Sequence, residues 1–245
     1  MIQKNRLRGQ RQKGFSLLES LISLGLFLFI ITASLQFSVI TRQQFDKLRK
    51  AQEEQEAVLA ALEKIRLDLQ ESGRGLKTPG ALGLLTALET AGGQMTLLHG
   101  ESGYQIPAGL TAGQTRITLS ATTGLSKNRR LCVFSRNRGE IREILRIQGK
   151  DCILKNPLLH SYSAAGSDVV PLKEIVYYLD ARTSVLRRKV NSAPAQPLLE
   201  DAALFIPEFD SDANLVQVRL SLLNKEENIY EIFFYPKNTT PAWYQ

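Results

Sequence analysis

The distribution of apolar positions divides the chain into three stretches with different periodicities. Residues 15–40 read FSLLESLISLGLFLFIITASLQFSVI, 26 residues whose single charge is Glu19. As a helix this run is about 39 Å long, enough to cross a hydrocarbon core of about 30 Å. Residues 42–72 contain no Gly or Pro, and apolar residues recur at Phe45, Leu48, Val58, Leu59, Leu62, Ile65 and Leu69. The later spacings of three and four are those of a helix. The opposite face carries Glu53, Glu54, Glu56, Glu63, Lys64 and Arg66. Ser72-Gly73, with Gly75 just beyond, is a C-terminal stop signal. Residues 15–72 together predict one helix of 58 residues, about 87 Å long. A coiled-coil homodimer is the alternative, although Gln52 and Gln55 interrupt the heptads.

The third stretch is β-like. Residues 76–114 are rich in Gly, Thr and Ala, include Pro79 and Pro107, and read as an irregular connection with at most a short helix near 81–88. From 115 onward the pattern shortens. Segments 116–119, 131–134, 141–147, 152–154, 175–179, 185–188, 215–222 and 229–235 read as strands. Arg138-Gly139, Gly149-Lys150-Asp151 and Asp180-Ala181-Arg182-Thr183 mark the turns. Val216, Val218, Leu220 and Leu222 point one way, and Gln217, Arg219 and Ser221 the other. Short strands joined by tight turns predict an antiparallel sheet with one face free for the helix, an α+β fold.

Charge changes the picture at one place. The chain carries a net +7, but Lys4, Arg6, Arg8, Arg11 and Lys13 precede the apolar run with no acid among them. Without those five the net charge is +2. A topology signal therefore explains the basicity, and it keeps the N-terminus in the cytoplasm and the region after residue 41 outside. A cleaved secretory signal, with Ala33-Ser34-Leu35-Gln36 as a weak site, and a plain single-pass anchor are the competing readings. Glu19 stands out in any of them, because a carboxylate in an apolar helix costs a few kcal/mol and points to function. It lies one turn, about 6 Å, from Phe15.

Candidate chemistry is sparse. No GxSxG, P-loop, GxGxxG or HExxH motif occurs, so no enzyme, cofactor or metal site is expected. His99 and His160 read as solvated loop histidines, and Asp210-Ser211-Asp212-Ala213-Asn214 as a solvated turn without the glycine and distal glutamate of a calcium loop. Cys132 and Cys152 form no CxxC. In an exported domain they could close a loop of 21 residues, worth about 3 kcal/mol; two buried thiols are the other reading. Arg129, Arg130, Arg136, Arg138, Arg142 and Arg146 cluster around one hairpin. With only Phe134 as an aromatic neighbour, a solvated face is favoured over DNA contact.

Lys13-Gly14-Phe15-Ser16-Leu17-Leu18-Glu19 resembles the processing site of type IV prepilins and type II secretion pseudopilins. The resemblance implies cleavage between Gly14 and Phe15 by prepilin peptidase, N-methylation of Phe15, and a role in assembly for Glu19, the fifth residue after the cut. Residues 56–73, and VYYLDARTSVLRRKV with the strands that follow it, are similar to minor pilins of the PilW kind and to J-type pseudopilins. Two departures are plain. Gln36 stands where major pilins carry a proline, and the cysteine pair is central rather than C-terminal.

The resemblance implies a pilin-like lollipop: leader 1–14, membrane and filament-core helix 15–40, spine helix 41–75, connection 76–114 and sheet domain 115–245. It implies a non-catalytic minor pilin or pseudopilin in the bacterial inner membrane, whose partners are the peptidase and other pilin subunits. The alternative is a membrane-tethered exported binding module, for DNA or a surface, that does not polymerise.

Overall fold

A computed structural model of the chain describes residues 16–223 and 225–239. It has one long N-terminal helix, α1 (Leu17–Glu71), followed by a short helix and antiparallel strands, which is an α+β architecture. The chain divides into two units, the first ending at Glu56 and the second beginning at Ala57.

In the first unit every described residue from 16 to 40 is exposed. Phe45 and Leu48, which the periodicity assigns to the packed stripe, are also exposed, at 66% and 67%. The buried stripe begins in the second unit at Val58 and continues through Ala61, Leu62, Ile65 and Leu69. These spacings keep one face inward. α1 ends where the sequence predicts. Gly73 adopts φ 76°, donates its N–H to the Leu98 carbonyl at 2.8 Å, and leaves so little room that a Cβ would lie 2.5 Å from the Asn238 carbonyl oxygen. Only glycine meets both demands.

The second unit contains two sheets. The larger includes β1 (Leu88–Ala91), β2 (Gln94–Gly100), β3 (Arg116–Thr118), β4 (Arg130–Ser135), β5 (Gly139–Gln148), β6 (Asp151–Leu154), β7 (Ser167–Asp180), β8 (Val185–Val190) and β9 (Gln196–Leu199). Its main path runs β1-β2-β7-β4-β5-β6-β3, while β8 pairs with β7 and β9 with β8. The smaller is a meander of β10 (Ala202–Asp210), β11 (Leu215–Leu222) and β12 (Lys225–Phe234). Both are antiparallel throughout.

β7 is the hub. Its residues Leu172–Tyr178 pair with β2 on one edge. On the other edge Ser167–Pro171 pair with β4, and Ile175–Asp180 pair with β8. Two strands therefore end on the same edge of β7, around residues 172–174.

Three clusters form the interior. The first joins the inward face of α1 to both sheets through Met95, Leu97, Ile175, Tyr177, Leu186, Phe205 and the alternating set Val216, Val218, Leu220 and Leu222. The second lies around Ile117, Leu131, Ile144 and Val169. The third sets Cys132, Phe134, Val170 and Leu172 beneath Leu76 and the leucines after α2 (Lys77–Ala81).

Two further expectations are corrected. Residues 76–114 are not an irregular connection: they hold α2, β1 and β2, and Met95 and Leu97 are core residues. Gly92 and Gly93, at φ 58° and 74°, make the tight hairpin turn between β1 and β2. The disulfide is not formed; Cys132 and Cys152 are free and buried. Cys132 faces Ile141 and Cys152 faces Ile147, six residues apart along the intervening β5. That offset is roughly 20 Å, far beyond the ~7 Å reach of a disulfide.

Candidate functional site

The structural features with functional content are the exposed apolar part of α1 and three polar constellations in the second unit. α1 starts at Ser16, whose Oγ accepts the Glu19 N–H at 3.3 Å while its carbonyl accepts the Ser20 N–H at 3.2 Å. Ser16-Leu17-Leu18-Glu19 thus has the S-x-x-E pattern of a capping box, with an acid in the first turn where the helix dipole favours one. The S-x-x-E spacing of Ser16 and Glu19 carries this capping signal in the sequence itself. Glu19 has no ion-pair partner among the described residues. The predicted cleavage and methylation residues, Gly14 and Phe15, lie outside the described residues.

Beyond Glu19 the helix is long and apolar enough to cross a membrane, and none of its most apolar 18-residue window is buried within the structure. Its hydroxyls are small, and Thr32 returns its Oγ1 proton to the Leu28 carbonyl at 2.8 Å. That bond removes an unsatisfied donor from an apolar surface.

The second unit holds a different carboxylate. Asp68, 6% exposed, sits among the core residues of α1. Its Oδ2 accepts the Tyr177 hydroxyl at 2.5 Å and Arg188 Nε at 2.6 Å, and its Oδ1 accepts Lys64 Nζ at 3.2 Å. Burial works to raise the Asp68 pKa. Hydrogen bonds from Arg188 and Tyr177, with the Arg188 charge, overcome it, and the carboxyl lies below its ordinary value. Burial, reinforced by the Asp68 carboxylate, pushes the Tyr177 phenol well up. The cluster ties α1 to β7 and β8, and its members are 109 and 120 residues apart in sequence.

A second buried acid, Glu140 at 5% exposure, organises a loop. It accepts the Leu159 N–H at 2.9 Å, the His160 N–H at 3.1 Å and the Tyr162 hydroxyl at 3.0 Å, and pairs with Arg142. Burial and the bond to Glu140 raise the Tyr162 pKa.

The arginine cluster does not form one exposed face. Arg129 is buried against Glu101, Arg130 pairs with Glu174 and Arg142 with Glu140, while Arg136, Arg138 and Arg146 are exposed. His160 is exposed as expected, but His99 is not a loop residue: it lies in β2, 4% exposed. Burial, with the charges of Lys173 and Arg74, lowers its pKa. In the 210–214 turn, Asp210 Oδ1 accepts the N–H groups of Asp212 and Ala213, both at 2.9 Å. Among the described residues no group of three His, Cys, Asp or Glu side chains is placed to hold a metal. Burial pushes the Cys132 thiol up to about 12 and the Cys152 thiol to about 11, so neither is a ready nucleophile at neutral pH.

No protein-family model and no curated protein matches the chain. Two solved structures are similar over a fraction of it. One is the Gp54 tailspike of Acinetobacter baumannii bacteriophage AP22 in complex with A. baumannii capsular saccharide, at 13% identity and a TM-score of 0.27. The other is the Pseudomonas phage phi297 tailspike gp61, at 15% identity and a TM-score of 0.27. The matches cover 30% of this chain and span only 15% and 14% of those chains. At that level neither likeness carries an argument.

Proposed function

We propose that the protein is a non-catalytic filament subunit, a minor pilin or pseudopilin, held first in the bacterial inner membrane and then assembled into a type IV pilus or type II secretion pseudopilus. The observation that carries this reading is the setting of Glu19. It is the one charge between residues 16 and 41, it stands in the first turn of an exposed apolar helix, and no cation of the described chain meets it. That helix continues without interruption to Glu71, and its later residues Val58, Leu62, Ile65 and Leu69 are core residues of the second unit.

Cleavage between Gly14 and Phe15 would give Phe15 a free α-amino group about one turn from Glu19. In apolar surroundings the carboxylate gains most from a compact cation, and the α-amino group of an adjoining copy supplies one. Breaking such a pair from one side costs roughly 3–5 kcal/mol, because the other charge is left unpaired. The pair therefore fixes axial register between subunits. The small residues Ser20, Ser23 and Gly25 allow close approach of neighbouring helices, and a Cβ at Gly25 would meet nothing within 4 Å in the isolated chain.

Mass spectrometry after co-expression with a prepilin peptidase tests the reading. The expected product begins at N-methylated Phe15. Glu19→Ala should be processed yet lost from sheared filaments. A product that begins at Met1 or downstream of Ile40 overturns the proposal. Correct processing of Glu19→Ala with membrane-tethered binding of DNA or a surface undiminished would instead favour a tethered binding module.

A further inference from the structure

The edge of β7 carries a built cleft that the reading above does not use. β4 and β8 end head to head on that edge, and both chains turn away through asparagines in the left-handed region, Asn128 at φ 65° and Asn191 at φ 49°. Asn191 seals the edge by exchanging bonds with Glu174: its Oδ1 accepts the Glu174 N–H at 2.8 Å, and its own N–H reaches the Glu174 carbonyl at 2.8 Å. The cleft between the strand ends has a volume of about 520 Å³, within the range of small-ligand sites.

Four cations line it, Arg129, Arg130, Lys155 and Lys189, against two carboxylates, Glu143 and Glu174. Register places them together. Arg130 faces Glu143 on β5, and Lys189 faces Val176, two residues from Glu174 on the same face of β7. The carboxylates are engaged, Glu174 with Arg130 at 2.5 Å and Glu143 with Lys155 at 3.2 Å. Lys189 makes no ion pair among the described residues.

Arg129 differs from the other three cations. Its side chain is 8% exposed. Nη1 donates to the Gly124 carbonyl at 2.5 Å, and Nη2 lies 2.6 Å from Glu101 Oε1, off the hydrogen-bond direction. Neither Gly124 nor Glu101 lines the cleft, so the Arg129 guanidinium is engaged outside it. Arg130 instead meets Glu174, a cleft residue, and its planar fork suits an oxyanion with several acceptor oxygens.

We propose that this cleft binds a phosphate group, which would be held between Lys189 and the guanidinium of Arg130. No aromatic side chain lines it, so it lacks the stacking platform that single-stranded nucleic acid uses. The site recognises the charge and hydrogen-bonding oxygens of the anion rather than a base. It stands independently of the filament reading, because the cleft lies wholly within the second unit.

Titration of the unassembled full chain in a nonionic detergent tests this. Inorganic phosphate is compared with chloride at matched ionic strength, and binding is read by calorimetry and by the shift in thermal midpoint. Saturable phosphate binding is expected. Lys189 is exposed, so Lys189→Ala should fold normally and weaken binding about three- to fivefold, the scale of one exposed charge contact. Lys150→Ala, an exposed lysine in the β5–β6 turn, should leave binding unchanged. Glu143→Gln removes the competitor for Lys155 and should tighten binding, a gain that partial unfolding cannot mimic. Tighter binding of glycerol 3-phosphate than of inorganic phosphate would identify an esterified phosphate, such as a lipid headgroup, as the source; equal binding would identify the free ion. The proposal is overturned if phosphate shows nothing beyond chloride, or if Lys150→Ala weakens binding as much as Lys189→Ala does.

Discussion

The two ends of α1 use the same amino acids in opposite surroundings. Leu24, Phe27 and Phe29 near its start are 55%, 59% and 72% exposed, whereas Val58, Ile65 and Leu69 near its end are 0% exposed. Each end also carries one informative carboxylate. Asp68 receives Arg188, Lys64 and Tyr177 from its own chain, and Glu19 receives no countercharge among the described residues. The contrast shows that apolarity alone does not say what covers a helix face. The late stripe is satisfied inside the molecule. The early stretch needs lipid or other protein, since leaving that much apolar area in water forgoes about 25 cal/mol per Å². An acid with its partners built in serves the fold. An acid without them is left open to a partner from outside its own described chain.

The sharpest test of that contrast is to remove each acid in turn. Asp68→Ala leaves Arg188 and the Tyr177 hydroxyl buried without their partner. It should lower unfolding free energy by roughly 3–5 kcal/mol, read by denaturant melts of the full chain in detergent. Glu19→Ala should leave the same melt unchanged. A loss below 1 kcal/mol, roughly, for Asp68→Ala would break the comparison. The apolar residues give the next largest effect. Ile65→Ala opens a cavity in the core of the second unit and should cost about 2–5 kcal/mol. Leu28→Ala should not shift that transition, because Leu28 is 55% exposed in the chain. Its effect should appear instead as weaker retention in membranes.

Much of this was legible in the sequence. The strand at 215–222 was readable because its alternation persists for eight residues with one face buried. The turns at Arg138-Gly139, Gly149-Lys150 and Asp180–Thr183 were marked by their own residue types and fall between β4 and β5, β5 and β6, and β7 and β8. β1 and β2 were missed because Thr, Ala and Gly around them read as loop composition, although Gly92-Gly93 between Leu88 and Leu97 carried the hairpin signal. The sequence predicts only 175–179 of β7, which runs from Ser167 to Asp180. Pro171 argues against a central strand, yet it sits near the place where β4 gives way to β8 on that edge, where the ladder is already interrupted. The Asp68 cluster was not readable at all: Tyr177 and Arg188 meet Asp68 only because β7 and β8 present one face to α1, a fact of tertiary register. The cleft at the β7 seam is hidden likewise, since Arg129 and Arg130 read as part of a solvated arginine patch while Lys155 and Lys189 come from distant stretches of the chain.

The finest discrimination comes from pH. The folded pKa of Asp68 is depressed by Arg188 and Tyr177 against the opposing effect of burial. A depressed carboxylate contributes stability that is complete above its unfolded value, near pH 4, and is lost as pH falls through the folded value. The stability gap between wild type and Asp68→Asn should therefore be constant from about pH 7 down to pH 5, then narrow below about pH 4. Glu19→Gln should show no such gap in the unfolding of the second unit at any pH. Lys64 refines the assignment. Its side chain is 42% exposed, so Lys64→Ala should cost only about 0.2–1 kcal/mol and leave most of the acid sensitivity in place, because Arg188 and Tyr177 hold the deeper oxygen. If Lys64→Ala abolished that sensitivity, the exposed lysine and not the buried arginine would be the countercharge. The distinction between an internally satisfied acid at residue 68 and an open one at residue 19 would then lose its physical basis.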